Sequence, residues 1–317
     1  MCIRDRAITV EAAGASGAAA VRQATLAIRS GEINTALVVG VEKMTDAVGT
    51  DVTTAIAGGA DSDWELAHGL TAPAIAALIM RRYMYEYSVP TDGLSGFSVN
   101  AHKNASTNSY AMFRNLISDE QYSRGAMVSS PVNVFDSAPD ADGAAALVIT
   151  SSDRELVKGR IIQIAGSNLT TDSLAIHDRD DLLTFSAAET SSRCAYDQAG
   201  IDANDIDVAE IYDRFGVYAA MSLEACGFAS RGSGWEMAQN ESVNLGGSLP
   251  ISTFGGLKAR GNPGGATGVY QIVEIAQQLA GTAKENQVSD AKWALAQCLG
   301  SSGATAVTHI LHMIDSR

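Results

Sequence analysis

Cysteine and histidine, the side chains most often used as nucleophiles, bases and metal ligands, are few in this sequence. The cysteines are Cys2, Cys194, Cys226 and Cys298, and there are five histidines among 317 residues. No Cys-x-x-Cys pair and no histidine cluster has the close spacing of a zinc site. The sequence therefore predicts no metal site and no disulfide, with free thiols in a reducing cytosol.

Other motifs with a known chemistry are also absent. There is no Gly-x-Ser-x-Gly elbow, no Gly-x-Gly-x-x-Gly fingerprint and no phosphate-binding P-loop, so hydrolase, dehydrogenase and nucleoside triphosphatase functions are not predicted. The net charge of −14, with no basic stripe, argues against a nucleic-acid partner. A composition of 46% hydrophobic and 18% charged residues is typical of a large globular core.

The sequence contains no stretch suited to a membrane or to secretion. The longest strongly apolar run, about residues 70–80, is much shorter than the roughly 20 residues that cross a bilayer. Residues 1–6 have no apolar signal-peptide core and do not lead into the segment that follows. We expect a cytoplasmic protein whose start is truncated or artefactual.

Glycine-containing turns mark the elements that must position any site. A short apolar strand at 8–10, the turn Gly14-Ala15-Ser16-Gly17, a helix to about Arg29 and a buried strand at 35–41 form one α/β unit. Near the C-terminus, Gly265-Ala266-Thr267-Gly268 begins a helix to about Leu279, and strands at 293–297 and 304–311 follow. The two helix starts match, so we predict an internally duplicated chain.

Between these units lies a long insertion, about residues 50–131, with a helical pattern. A strand at 144–149 closes the first half, and a helix at 186–199 belongs to the second. We predict an N-terminal half at 7–150, including the insertion, and a C-terminal half at 151–317. The insertion is a natural ligand-covering domain.

Several motifs in order resemble the thiolase superfamily, and more closely its archaeal acetoacetyl-CoA thiolase and sterol-carrier-type branches. The matching segments span nearly the whole chain: residues 10–17, 39–44, 102–106, 136–139, 142–145, 255–268 and 300–305. The resemblance implies two similar βαβαβ halves in five layers with a helical loop insertion. It also implies that the first strands of the family, which precede Ile8, are missing, that the chain forms a homodimer or tetramer, and that an OB-fold zinc-ribbon protein is a possible partner.

The resemblance also implies where the active site lies and shows that its usual side chains are replaced. The position of the nucleophilic cysteine, at the start of the first central helix, is Gly14. The His-Asp-Cys-Phe motif is Tyr212-Asp213-Arg214-Phe215, and the Gly-His-Pro motif is Gly261-Asn262-Pro263. Cys298 falls where other thiolases have an acid/base cysteine, although a buried thiol without a role fits equally well.

The remaining groups suit the stabilisation of a thioester enolate. They are the helix start at Gly14, the backbone near Gly300 and Gly303, and the polar side chains of Tyr212 and Asn262. Retro-aldol cleavage of a β-hydroxyacyl-CoA needs a base and an oxyanion hole but no covalent nucleophile. Thiolase-like aldolases of steroid side-chain degradation resemble this pattern, with a tyrosine at the motif's histidine.

Tyr212 is therefore the candidate base, with its pKa lowered by a neighbour such as Arg214, or else a packed hydrogen-bond donor. Asp213, beside it, is included among the candidate catalytic residues. Lys258 and Arg260 could contact the phosphates of coenzyme A, although a solvated basic pair fits equally well. Coenzyme A esters are expected as substrate, with no bound cofactor, at the mouth between Gly14, Asn262 and Gly300.

Three functions stay open at this point. The first is a CoA-dependent carbon–carbon lyase of the retro-aldol type. The second is an acetyl-CoA C-acyltransferase, which overall similarity suggests and which Gly14 opposes. The third is a non-catalytic carrier of CoA esters or lipids, or a scaffold for an active partner.

Overall fold

The computed structural model describes residues 7–151 and 160–315. The expectation about an artefactual start concerns residues 1–6, which lie outside the described residues, as does Cys2. Residues 152–159 also lie outside the described residues. Among the described residues, no helix is both long enough and apolar enough to cross a bilayer.

The first half is built around one helix and a two-stranded sheet. Helix α1 (Ser16–Arg29) leads into strand β1 (Thr35–Glu42), which pairs antiparallel with β4 (Gly143–Thr150) in a continuous register. These elements confirm the predicted helix and both predicted strands. The predicted burial of the strand at 35–41 is wrong, because Leu37, Val39 and Val41 lie on an exposed face and are each more than half exposed. The strand predicted at residues 8–10 is wrong, because no strand of the described chain lies beside it to accept its backbone hydrogen bonds.

The second half contains a four-stranded sheet with the order β5-β8-β7-β6. Its strands are β5 (Arg160–Thr171), β6 (Val208–Glu210), β7 (Trp293–Gly300) and β8 (Thr305–Asp315), and only β6 and β7 run parallel. Helix α6 (Ser186–Ala199) packs on β5 and β8, with Gly166 directly against the backbone of Ala195. The predicted helix and both C-terminal strands are confirmed.

The predicted insertion is mainly helical, as expected. It holds α2 (Gly49–Ala57), α3 (Ala72–Tyr87), α4 (Ser95–Ala105) and α5 (Asp119–Ser123). A small hairpin follows, formed by β2 (Met127–Ser129) and β3 (Val132–Asn133). Two helices of the second half, α7 (Gly216–Ala225) and α8 (Glu236–Gln239), pack against this helical layer. The boundary predicted between residues 150 and 151 stays a prediction.

The two sheets are held together by a pair of central helices, α1 and α9 (Thr267–Ala280), each of which contacts both sheets. Each begins with a short 3-10 turn, Ala13–Ala15 before α1 and Gly264–Ala266 before α9. This shared geometry agrees with the predicted duplication. The helices approach closely because Gly17 and Gly268 lie at their contact, where a Cβ on Gly268 would be 2.6 Å from the Cβ of Ala18.

This close approach predicts that Gly268→Ala lowers the free energy of unfolding by about 1–3 kcal/mol, as overpacking of a close contact does. Gly49→Ala, at the open start of α2, is the control because a Cβ there meets nothing within 4 Å. It should change stability by less than about 1 kcal/mol. Urea unfolding of both variants is the measurement, and equal effects would contradict the packing account.

Candidate active site

A cavity of about 680 Å³ opens where α1 begins. Its wall combines the turn before α1, the loop between β6 and α7, the loop between β7 and β8, and the inner side of α2. Polar lining residues include Glu11, Glu42, Lys43, Tyr212, Arg214, Tyr218, Asn262, Ser301 and Ser302. Apolar side chains of α2 and α3, such as Val52, Ile56 and Ile75, form the rest of the wall.

Three residues that line this cavity have strained backbone. Ala13, Ser301 and Ser302 all have left-handed backbone, with φ values of 51°, 47° and 53°. Such conformations cost about 1–3 kcal/mol each in non-glycine residues and are typical of functional sites. Ser301 and Ser302 were missed by the sequence reasoning, although they lie inside the matched segment 300–305.

Gly14 and Tyr212 meet at the floor of the cavity. A Cβ on Gly14 would overlap the Tyr212 hydroxyl and lie 2.7 Å from the Leu299 carbonyl oxygen. The tyrosine hydroxyl therefore occupies the space that a side chain at position 14 would need. The sequence presents Gly14 and Tyr212 as two separate replacements. In the structure they are linked, because the Tyr212 hydroxyl fills the space that a larger residue at position 14 would need.

Burial dominates the electrostatics of Tyr212. Its side chain is 5% exposed, and desolvation raises the pKa of the phenol well above its usual range. The neighbouring Arg214 guanidinium lowers that pKa, as the sequence suggested, but by less than burial raises it. Tyr212 is accordingly a neutral hydroxyl at pH 7, and the expected net lowering of its pKa is wrong.

Asn262 lies where the sequence placed it, on the wall of the same cavity. Its amide nitrogen donates to Asp140 Oδ1 at 3.4 Å, and its amide oxygen accepts from Thr267 Oγ1 at 3.4 Å. Two backbone hydrogen bonds, to Pro139 and from Ala141, fix its position. These long side-chain bonds leave the amide able to bind a ligand oxygen.

Gly300 and Gly303 shape the β7–β8 loop rather than line the cavity. A Cβ on Gly300 would overlap the carbonyl oxygen of Ala12, and Gly303 has a φ of 91° with the Phe185 ring against it. Their predicted contact with ligand is therefore indirect. The residues that this loop presents to the cavity are Ser301 and Ser302.

Cys298 is buried behind the cavity wall and is not among the residues that line it. Its thiol donates to the Gly14 carbonyl oxygen at 3.3 Å, and burial raises its pKa far above the usual range. A thiol with a raised pKa is a poor nucleophile at neutral pH. The geometry fits the buried thiol without a role.

Asp213 also points away from the cavity. Its carboxylate accepts hydrogen bonds from Leu257 N at 2.7 Å and from Ser252 Oγ at 3.0 Å. These bonds hold the single π-helical turn Gly256–Arg260 against the loop that carries Tyr212. The expected catalytic role of Asp213 is corrected to a structural one.

Lys258 and Arg260 do not contact the cavity, so the expected contact with coenzyme A phosphates is wrong. Both are on the π-helical turn and are 2% and 5% exposed. Lys258 donates to the Asp136 carbonyl oxygen, and Arg260 pairs with Glu274 at 2.8 Å. Burial explains the error, because the sequence does not show that both chains turn inward.

Two carboxylates of the cavity cap the starts of the central helices. Glu11 Oε1 accepts from Ala13 N at 2.6 Å, and Glu42 Oε2 accepts from Gly265 N at 3.0 Å. Helix starts favour negative charge because their amide groups are unpaired. The two acidic side chains are therefore already bound by the protein. Neither was among the predicted site residues.

Comparison with known proteins agrees with this geometry. Residues 3–129 match the family described as "Thiolase, N-terminal domain", and residues 169–313 match "Thiolase C-terminal domain-like". The acetyl-CoA acetyltransferase of Methanothermobacter thermautotrophicus is 37% identical over 303 residues, which cover 95% of this chain and 78% of that protein. Its counterpart from Methanocaldococcus jannaschii is 38% identical over 313 residues, covering 95% and 79%.

Among solved structures, the "Ltp2-ChsH2(DUF35) aldolase" has a TM-score of 0.84 and 25% identity, over 95% of this chain and 78% of that one. The chain belongs to the thiolase family. The predicted thiolase fold and superfamily are confirmed.

The steric exclusion at Gly14 predicts that Gly14→Cys lowers the free energy of unfolding by about 1–3 kcal/mol. In a Tyr212→Phe background the same change should cost less, because the overlapping hydroxyl is gone. Urea unfolding of the two single variants and the double variant measures the coupling, expected to be at least about 0.5 kcal/mol. Additive effects would show that Tyr212 does not occupy this space.

Proposed function

We propose that this protein binds acyl-coenzyme A thioesters in the cavity and cleaves a β-hydroxyacyl-CoA by a retro-aldol reaction. The observation that carries the proposal is the Tyr212 hydroxyl in the space of the missing nucleophile at Gly14. The site has a polar oxygen where a thiolase needs a sulfur. A hydroxyl there can move a proton or donate a hydrogen bond.

In the proposed reaction, the Tyr212 phenolate takes the proton of the substrate β-hydroxyl. The bond between the α- and β-carbons breaks, the β-carbon becomes a carbonyl, and the electron pair forms the thioester enolate. Tyr212 then returns its proton to the α-carbon of the enolate, which gives the shortened acyl-CoA and restores the phenolate. No oxidant, reductant or covalent intermediate is needed.

Stabilisation of the enolate oxygen is assigned to the donors that surround Gly14. They are the backbone of the strained Ser301-Ser302 turn, the Asn262 amide and the start of α1. Donors held in place before the reaction stabilise developing negative charge at no reorganisation cost. Arg214 contributes in a different way, because its positive charge favours the phenolate form of Tyr212.

A second candidate is acetyl transfer, the function named for the archaeal relatives. Their 37% and 38% identity over 95% of this chain is the observation in its favour. The absence of a side chain at Gly14 opposes it, and Cys298 lies outside the cavity lining.

A third candidate, a non-catalytic carrier of CoA esters, is favoured by the burial of Tyr212. Because burial raises the pKa of the phenol, Tyr212 is almost entirely protonated at pH 7. It can then donate a hydrogen bond, but only a small fraction is available as a base. The same cavity would then hold an acyl-CoA without changing it.

Assembly with a partner is part of the proposal. The structurally similar aldolase is named for two components, Ltp2 and ChsH2(DUF35). We propose that this chain also works with a partner protein, an OB-fold zinc-ribbon protein being the candidate, and as a homo-oligomer.

The lyase proposal predicts that Tyr212→Phe lowers turnover by about 10²- to 10⁴-fold, the usual loss on removing a general base. Affinity for the CoA ester should stay nearly unchanged, because the ring and its packing are kept. Tyr196→Phe is the control, since Tyr196 is also buried but donates to Cys226 O outside the cavity. Wild-type cleavage with equal turnover in Tyr212→Phe would contradict the assigned role, and binding without any cleavage would favour the carrier.

The raised pKa of Tyr212 also predicts the pH dependence of cleavage. Below that pKa the phenolate fraction rises about tenfold for each pH unit, so kcat/KM should rise continuously from pH 6 to 9. A base of ordinary histidine character would instead give a plateau near pH 7. Rates of the wild type across this range, with stability checked at each pH, decide between the two.

A further inference from the structure

Three buried hydrogen-bond donors on one side of the cavity have no acceptor in the described part of the chain. They are the Tyr218 hydroxyl, Nε of Arg214 and Nη2 of Arg179. Tyr218 and Arg179 are 2% and 8% exposed, and the Arg214 side chain is 16% exposed. Buried donors are nearly always paired in folded proteins, so three together indicate a missing acceptor.

These donors lie close to one another. Tyr218 and Arg214 both line the cavity. Burial raises the pKa of the Tyr218 phenol, and the Ser302 side chain and the two guanidinium charges lower it. Arg179 stands directly behind the cavity wall, where its Nη1 donates to the Ser302 carbonyl oxygen at 3.0 Å. The Tyr218 ring is fixed by edge contacts with Phe185 and Phe215.

The two guanidinium groups make few close contacts with carboxylates. In residues 7–151 and 160–315, Arg179 has no close ion pair, although Asp172 and the buried Glu65 act on its charge, and Arg214 has one ion pair with Asp140 at 3.7 Å. Asp140 is 37% exposed and is therefore partly hydrated. Lys43, the other cation of the cavity, is bound by Asp46 at 2.8 Å and Asp142 at 3.0 Å.

The cavity carboxylates do not supply the missing acceptor. Glu11 and Glu42 are held by backbone amides at the starts of the central helices, and Asp51, on α2, is exposed. The buried Glu65, whose charge acts on Tyr218 and Arg179, accepts from the backbone amides of Asp61 and Ile176. A ligand anion is thus the group that would complete the hydrogen bonds of Tyr218 and the two arginines.

We propose that Tyr218 and Arg214, with Arg179 behind them, form a subsite for a carboxylate on the acyl part of the substrate. The inference rests on the proposed binding of acyl-CoA thioesters. Arg214 and Tyr212 are in one loop, so this subsite is next to the thioester rather than at the phosphates of coenzyme A, which lie at the far end of its pantetheine arm. Arginine matches a planar carboxylate geometrically, and a phenol adds a charge-assisted hydrogen bond.

The substrate class is therefore a β-hydroxyacyl-CoA with a second, free carboxylate in its acyl group. A neutral chain would leave the three donors desolvated and unpaired. Sites built around such donors discriminate strongly against ligands that lack the matching hydrogen-bond acceptor. Apolar pockets discriminate less strongly between ligands that differ only in size.

The test compares two CoA esters of equal chain length by calorimetry. Glutaryl-CoA carries a terminal carboxylate and valeryl-CoA a methyl group. The full chain should bind glutaryl-CoA at least about tenfold more tightly, and added salt should reduce the preference. Arg214→Gln and Tyr218→Phe should each reduce the ratio of the two Kd values towards one.

Tyr218→Phe keeps the ring contacts, so it tests the subsite even if Arg214→Gln folds poorly. Arg231→Gln on the exposed surface and Tyr196→Phe are the matched controls, and both should keep the preference. Equal Kd values for the two esters, no binding of either, or a preference unchanged in both variants overturns the subsite. Glutaryl-CoA has no β-hydroxyl, so the proposed reaction is tested separately with 3-hydroxyglutaryl-CoA. Preferential binding of glutaryl-CoA without cleavage of 3-hydroxyglutaryl-CoA supports the subsite and refutes the proposed reaction.

Discussion

The contact between the Tyr212 hydroxyl and the backbone of Gly14 is the constraint on which the site depends. Gly14 lies within the turn before α1, and Tyr212 is in the loop after β6, so this contact joins the two halves of the chain. A side chain at position 14 and a hydroxyl at position 212 cannot occupy the same space. The tyrosine at position 212 is therefore compatible with glycine at position 14 and not with a larger side chain there.

The same contact determines the electrostatics of the site. Because Tyr212 reaches so far into the floor of the cavity, burial raises its pKa and leaves Arg214 as the nearby charge that opposes this effect. The phenol is neutral at pH 7, and it must lose its proton before it can act as a base. Whether Tyr212 acts as a base or only donates a hydrogen bond therefore depends on whether its phenol has lost its proton.

Most of the fold could be predicted from the sequence. Apolar periodicity and glycine stops gave α1, α6, α9, β1 and β4 nearly at their ends, because these signals are local. The same signals gave β7 and β8, but both strands continue beyond the predicted ends at residues 297 and 311. Motif order gave the positions of Gly14, Tyr212 and Asn262. The strand predicted at 8–10 failed because strand formation needs a partner, which a local apolar pattern does not reveal.

The remaining parts of the site depend on packing that no local pattern shows. The orientation of Lys258 and Arg260 depends on a π-helical turn that Asp213 holds. No motif singled out Tyr218, and its buried, unpaired hydroxyl is visible only in the folded structure. Ser301 and Ser302 were hidden because backbone strain has no sequence signature outside glycine.

The central claim, that this cavity stabilises a thioester enolate without acylating the protein, is tested most directly by proton exchange. The wild-type chain is incubated with acetyl-CoA and propionyl-CoA in D₂O, and deuterium at the α-carbon is followed by NMR. The account predicts exchange that Tyr212→Phe strongly slows, with no acyl group on the protein by intact mass. Absence of exchange with both esters, or a stable acyl adduct on the chain, would contradict it.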